Sequence, residues 1–379
     1  MKKKILVIIG TRPEIIRLSC TIQKIEDNFK LILVNTNQNF NKNLNSLFFK
    51  ELGINKPSYN LKNEYSVKKN SINFISNLLE KIDKILAIEN PNAVLILGDT
   101  NSGLSALCAK KRKIPIFHVE AGNRCFDKNV PEEMNRIIID NLADINMTYS
   151  DVAKNNLIKE NFDLDKIIKI GSPLPEVFKR YWKNIENSKI INKLKLYKKK
   201  YFLVSCHREE NVENFENLKK IFLAINKISN LYKLPVVFST HPRTKDKLKK
   251  INKKLLKNIL FHKPFGFFDY VKLQINSKLT ISDSGSIVEE SNILNFPAIN
   301  LRNSTERQEG FEKGFVIISS LDPDSILESA KIVIKRFKES NDNNKHIDYS
   351  DYNTSDKIIT IIQSYINYVN SKVWLKNIF

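Results

Sequence analysis

KILVIIGTRPEIIRLSCTIQKIEDN, residues 4 to 28, decides the fold. It opens with a short β-branched run, Lys4 to Gly10, that reads as a strand. Gly10 turns the chain, Thr11 suits an N-cap, and Pro13 sits where a first helical turn tolerates it. Apolar residues then recur at helical period as far as Asn28. A strand followed by an amphipathic crossover helix is the unit of a parallel α/β sheet.

The same unit recurs along the chain. LILVNT, AVLILGD, IPIFHVEA, INMTYS and IIKIGSPLPE follow as strands or strand ends, and the series closes at the turn marked by Pro173 and Pro175. A charged helical stretch, YWKNIENSKIINKLKLYKKK, intervenes before the rhythm restarts. YFLVSCH, LPVVFSTH, ILFHK, KLTISDSG and PAINLR form a second strand series with helical spacers. The expected organisation is therefore an N-terminal α/β domain over 1–174 and a second over 175–355. A last helix over 356–379, apolar on one face, is expected to pack back on the first domain.

The 379 residues suit two cores of ordinary size, and 42% hydrophobic residues suffice to fill them. The net charge of +21 invites a nucleic-acid reading. The lysines are nevertheless spread through the chain on what read as solvated helix faces, so nucleic acid is not the expected partner. An anionic small substrate accounts for the same sign. Cys20, Cys108, Cys125 and Cys206 stand far apart without CxxC spacing, which argues against structural zinc or disulfides and for a cytoplasmic protein. The apolar run near the start is far shorter than the roughly 20 residues of a spanning helix, so no membrane insertion is expected.

In open α/β sheets, ligands bind beyond the carboxyl ends of the strands. Polar residues directly after a strand are thus the site candidates. Arg12 follows the first strand at a helix start, where dipole and guanidinium together suit a phosphate, although the stretch taken alone reads first as a capped turn with a solvated arginine. Ser284, Gly285 and Ser286 in SDSGSIVEE offer amides and hydroxyls to a diphosphate, with Glu289 or Glu290 one turn on; a plain capping box reads the same way. His207 stands at a strand end beside Arg208, which suits a phosphate better than a metal. His118 and Glu120 form an HxE pair with no third ligand at a supporting spacing, and no metal site is expected. His241 in STHPRT reads as a strand-cap histidine or a site residue.

Asp99 follows VLILG, Glu120 follows IPIFHV, and Glu132 and Glu133 open a helix after Pro131. Carboxylates capping apolar strands lose water, which raises proton affinity, and such a set suits general acid/base chemistry. Glu133 reads instead as a first-turn acid answering the helix dipole.

Taken jointly and in order, GTRPEIIRL, GDTNS, HVEAGNR, PEEMNR, HREEN, DSGSIVEE and TERQE resemble the non-hydrolysing UDP-N-acetylglucosamine 2-epimerase family, from residue 10 to about 310. The resemblance implies two Rossmann-like domains with parallel sheets facing a central cleft, as in glycosyltransferase-B enzymes, a homodimer, and no redox cofactor or metal. It implies C2 epimerisation by loss of UDP to a 2-acetamido glycal and re-addition with protonation from the opposite face. Carried over, Asp99, Glu120 and Glu132 handle protons and position the sugar. Arg12 and His207 hold the UDP diphosphate, Ser284, Gly285 and Ser286 its phosphate oxygens, and Glu290 the ribose. Phe268 or Tyr270 lies against uracil, and Arg307 and Glu309 line the sugar pocket.

Two positions depart from the UDP-N-acetylglucosamine enzymes of the family, which carry Lys where this chain has Arg17 and His where it has Asn39. The first keeps charge in another shape; the second puts in doubt an allosteric second substrate site. Arg17 is retained as a substrate-binding candidate. With KRKIPIFHVEAGNRCFD and SCHREENV, these departures resemble the branch that converts UDP-N-acetyl-L-talosamine to UDP-N-acetyl-L-fucosamine for capsule or O-antigen. UDP-N-acetylglucosamine is the alternative substrate; a hydrolysing epimerase and a retaining glycosyltransferase are more distant rivals.

Overall fold

The computed structural model describes residues 2–38, 42–62, 71–240, 247–248, 251–302, 304–312, 314, 316–339 and 347–376. Asn39 and His241 lie outside the described residues. The chain forms two units, one of Met1–Arg180 with Ser350–Phe379, the other of Tyr181–Tyr349.

In the first unit, β1 (Lys4–Ile9), β2 (Lys30–Asn35), β3 (Tyr59–Asn60), β4 (Ala93–Leu97), β5 (Ile116–Val119), β6 (Ile145–Thr148) and β7 (Ile167–Lys169) form one sheet. Their order is β3-β2-β1-β4-β5-β6-β7. All pairings are parallel, with β1 held against β2 from Lys4↔Lys30 to Ile9↔Asn35 and against β4 from Ile5↔Ala93 to Val7↔Leu95. Parallel strands covered on both faces need apolar residues at every position rather than alternation. Accordingly Ile5, Leu6, Val7, Ile8 and Ile9 are all buried. The helix Arg12–Asn28 begins two residues after β1 and buries Ile15, Leu18, Ile22 and Ile25.

The second unit repeats the plan with β8 (Phe202–Cys206), β9 (Val236–Thr240), β10 (Ile259–His262), β11 (Leu279–Ser282), β12 (Ala298–Leu301) and β13 (Val316–Ser319). The order is β10-β9-β8-β11-β12-β13, again parallel throughout. Two strands were not anticipated: β3, two residues long, and β13, VIIS. β13 is only four residues long, and its pairing with β12 defines it.

The helix Thr354–Tyr368 belongs to the first unit, where it packs on the helix Arg12–Asn28. Ile358, Ile362 and Ile366 are buried, Ser355 N–H donates to Glu176 Oε2 at 2.8 Å, and Lys24 meets Asp356 at 2.5 Å. No helix among the described residues is long and apolar enough to cross a membrane.

Each sheet reverses its strand order once, between β1 and β4 and between β8 and β11. Strand connections diverge at such a switch point, leaving a crevice beyond the carboxyl ends. GTRPE and GDTNS leave β1 and β4; CHREEN and DSGS leave β8 and β11.

Candidate active site

In the first unit the switch-point loops are tied together by a residue that sequence reading passed over. Glu14 is buried in the first turn of the helix Arg12–Asn28. Its Oε2 accepts the amides of Gly10 (2.5 Å) and Thr11 (3.0 Å), and its Oε1 accepts the Thr100 hydroxyl at 2.7 Å. The loop carrying Arg12 is thereby joined to the loop carrying Asp99. Burial pushes the Glu14 carboxyl up to about 7, against its hydrogen-bond donors, which oppose the shift. The unfolded chain loses this proton near 4.5, while the folded chain keeps it to about 7. Between those values the native state binds more protons, so stability falls as pH rises through that window, by up to about 3 kcal/mol. Denaturant titrations from pH 4.5 to 7.5 are expected to show that slope, flattened in Glu14→Gln.

Asp99 follows Gly98, whose φ of +75° favours glycine. Its carboxylate is not an isolated desolvated acid. Oδ2 accepts from Arg136 Nη2 (2.7 Å) and Nε (3.1 Å), and its carbonyl accepts Asn135 Nδ2 at 2.9 Å. His118 lies wholly buried on β5. Its Nε2 donates to the Gly98 carbonyl at 2.9 Å and its Nδ1 faces Asp140 Oδ1 at 2.8 Å. Asp140 also takes the Arg124 guanidinium at 2.7 Å, which in turn bonds Glu160. His118 thus braces the Asp99 loop from beneath, with both ring nitrogens engaged in the interior rather than turned toward Glu120.

Glu120, at the end of β5, holds φ at +74°, a left-handed conformation unusual for a residue with a side chain. Its amide and that of Ala121 both donate to the Met147 carbonyl, at 3.0 and 3.2 Å, which keeps the turn in place. Such local strain clusters at functional sites. Glu120 Oε2 lies 3.8 Å from Arg17 Nε, and the buried Arg17 guanidinium also stands over the Tyr149 ring at 5.5 Å. Arg12 is half-buried with its guanidinium 6.0 Å from the Phe48 ring.

Glu132 is half-buried at the start of the helix Pro131–Leu142. Glu133, read from sequence as a dipole-answering acid, is 2% exposed and does more. Its carboxylate accepts the amides of Cys125 (3.1 Å) and Phe126 (2.9 Å) and pairs with Arg136. Burial acts to raise this carboxyl; the Cys125 amide and the Arg136 charge outweigh it and hold it below the usual range.

In the second unit, His207 follows β8 and Asp283 follows the adjacent β11. The fully buried Asp283 accepts the amides of His207 and Arg208, Asn211 Nδ2 at 3.1 Å, and stands 3.0 Å from His207 Nδ1. Burial would raise Asp283, but the His207 ring and the amide donors hold it low. Asp283 fixes the imidazole while 41% of that side chain stays exposed, a role sequence reading did not assign. Ser284, Gly285 and Ser286 are half-buried just before the helix Ile287–Leu294, with the two hydroxyls 2.9 Å apart. Gly285 packs tightly, since a Cβ there would lie 2.3 Å from Glu306 Oε1. Glu290 accepts Gln274 Nε2 at 2.5 Å. The Tyr270 hydroxyl lies 2.6 Å from Ser205 Oγ, and the Phe268 ring packs at a tilt against Tyr181, centroids 5.8 Å apart.

Arg307 lies deep in the second unit. It is 1% exposed, with Nη2 3.3 Å from Glu289 and Nη1 3.9 Å from Glu309, whose Oε1 accepts the Tyr349 hydroxyl at 2.8 Å. Two interior carboxylates draw the guanidinium inward. Glu309 is likewise interior, its carboxyl raised by burial against the opposing Arg307 charge.

Two parallel sheets of Rossmann type, each with polar loops at its switch point, define an α/β enzyme of the glycosyltransferase-B-like class. The family model described as UDP-N-acetylglucosamine 2-epimerase matches residues 22–363. A UDP-N-acetylglucosamine 2-epimerase of Methanococcus maripaludis is 36% identical over 95% of this chain and 98% of its own. The structure of UDP-N-acetylglucosamine 2-epimerase from Rickettsia bellii aligns with a TM-score of 0.89 and 42% identity, covering 99% of this chain and 100% of that one. The UDP-GlcNAc 2-epimerase of Methanocaldococcus jannaschii, solved in complex with UDP-GlcNAc and UDP, aligns at 0.87 with 34% identity, over 95% of this chain and 99% of that one. The chain belongs to the non-hydrolysing UDP-N-acetylglucosamine 2-epimerase family, and is an isomerase acting at C2 of a UDP-linked sugar.

Proposed function

We propose that the protein inverts C2 of a UDP-2-acetamido sugar, with UDP-N-acetyl-L-talosamine converted to UDP-N-acetyl-L-fucosamine as its reaction, in capsule or O-antigen synthesis in the cytoplasm. A carboxylate removes the C2 proton while the bond from C1 to the phosphate oxygen breaks. The electron pair left on C2 forms the C1–C2 double bond, and UDP departs. UDP then adds back at C1, and a second carboxyl group delivers a proton to the opposite face of C2. The sequence is redox-neutral and calls for no hydride acceptor.

The observation that carries this reading is the pair Asp99 and Glu120 at the ends of adjacent strands β4 and β5, each beside a buried arginine. Carboxylates so partnered are held in fixed directions, which proton transfer at one carbon requires. Glu132 completes the set. In the second unit, the Asp283-anchored His207 and the Ser284–Ser286 turn suit the diphosphate and the charge it gains as it departs; in the first, Arg12 at its helix start suits a phosphate. Glu290 suits the ribose, and Tyr270 or Phe268 the uracil. Arg17, with its planar fork beside Glu120, suits the sugar side of the reaction. The protein acts as a homodimer, as the family resemblance implies.

The second reading, interconversion of UDP-N-acetylglucosamine and UDP-N-acetylmannosamine, draws on the names of the relatives. Steady-state rates on both UDP sugars, with products read by NMR, separate the two. The L-talosamine sugar is expected to be used with kcat/KM higher by at least about tenfold, within the range a single pocket contact provides. A preference for UDP-N-acetylglucosamine would overturn the substrate assignment.

A further inference from the structure

We propose that Glu133 is a positioning residue for the epimerisation, acting through Arg136 on Asp99; the inference rests on the reading of Asp99 as a proton-transfer group. The three side chains form one chain of contacts. Asp99 Oδ2 accepts two N–H groups of Arg136, and Arg136 Nη1 pairs with Glu133 Oε2. Glu133 and Arg136 are 2% and 3% exposed, while Asp99 keeps 27% of its side chain accessible. The arrangement is thus two buried anchors and one outward carboxylate.

Glu133 has a second hold. Its Oε2 also accepts the Cys125 amide at 3.1 Å and the Cys125 thiol at 3.2 Å, and its Oε1 accepts the Phe126 amide at 2.9 Å. Phe126 sits at φ +58° with 67% of its surface exposed, a conformation with a backbone cost of about 1–2 kcal/mol for an aromatic residue. Two amides on one carboxylate are what keep it there. Glu133 therefore fixes, at once, the direction of the guanidinium that aims Asp99 and the course of the loop between Glu120 and Glu132. A guanidinium shared between two carboxylates cannot rotate toward either without breaking its contact with the other.

Glu133→Gln tests this. An amide in that place has one acceptor and one donor. With its oxygen toward Arg136 and Cys125, its NH2 opposes the Phe126 amide; turned over, its NH2 faces the guanidinium. Either way one anchor fails. We expect kcat to fall about 10–100-fold, the range that displacement of a reacting group by about 1 Å produces, with KM and the affinity for UDP within about threefold of wild type. Combined with Asp99→Asn, Glu133→Gln is expected to add no further loss, because both act at one step. Should the amide variant fail to fold, Glu133→Asp keeps the charge but reaches only one anchor, and its kcat is expected to fall about 3–10-fold with UDP affinity unchanged. A lowered melting temperature with unchanged kcat per folded enzyme, or KM and UDP affinity weakening as much as kcat falls, would overturn the role. Wild-type enzyme without C2 proton exchange would instead overturn the underlying reading of Asp99.

Discussion

Asp99→Asn is expected to reduce kcat for C2 epimerisation by about 10³-fold while leaving the dissociation constant for UDP within about threefold of wild type. The magnitude is that of losing one general acid/base group. Asparagine is nearly isosteric, and its carbonyl oxygen still accepts from Arg136 Nη2, which in the wild type lies 2.7 Å from Asp99 Oδ2. The loop is further held by Asn135 on the Asp99 carbonyl and by His118 on the Gly98 carbonyl, neither of which the change touches. What disappears is the capacity to take up and release a proton. UDP binding is assigned to other residues, so isothermal titration with UDP separates the outcomes. A parallel loss of UDP affinity would mark Asp99 as a structural or phosphate-organising residue instead.

The largest expected effect on stability is at Gly122. Its φ is +78°, and a Cβ there would lie 2.3 Å from the Ala153 carbonyl oxygen and 2.9 Å from the carbonyl carbon. Both atoms belong to the helix Asp151–Lys159, which docks here through Asn156 Nδ2 on the Gly122 carbonyl at 3.0 Å. The Gly122 amide meanwhile donates to Asp140 at 3.2 Å, within the Arg124–Asp140–His118 network. Backbone cannot move aside as a side-chain end does. Gly122→Ala is therefore expected to destabilise by about 3 kcal/mol or more, adding the cost of a left-handed alanine to that of displacing a helix. For a unit of this size that lowers the melting temperature by roughly 6–12 °C. Gly98→Ala is the control: its φ is +75° but a Cβ there meets nothing within 4 Å, so only the conformational term, about 1 kcal/mol, is expected. Equal losses at the two positions would refute the steric part of this account.

Much of this architecture is legible in the chain because parallel strands must be apolar throughout. KILVII, AVLIL and IFHV announce themselves, and the polar residues after them mark the strand ends. The family strings fall on those ends, which is why their order was informative. Other parts are hidden for physical reasons. β13 is only four residues long, and its register with β12 makes it a strand. Glu14 and Glu133 each occupy a first helical turn, where an acid is ordinary; nothing local says that the carboxylate is buried and bonded to a neighbouring loop. Asp283 looks like one small polar residue among serines, yet it anchors His207 across the sheet. Arg307 is a further case: its loop, TERQE, is polar throughout, and Glu289 on the helix Ile287–Leu294 draws the guanidinium inside. Pairings between distant residues are the information a single strand pattern lacks.

Reversible loss of UDP exchanges the proton at C2 in the proposed reaction. Incubating the enzyme with UDP-N-acetyl-L-talosamine in deuterated water tests it most directly. The expected result is deuterium at C2 of both epimers with UDP still attached, with exchange about 10³-fold slower in Asp99→Asn. Free UDP accumulating in step with free sugar, or epimerisation that retains the C2 proton, would contradict it.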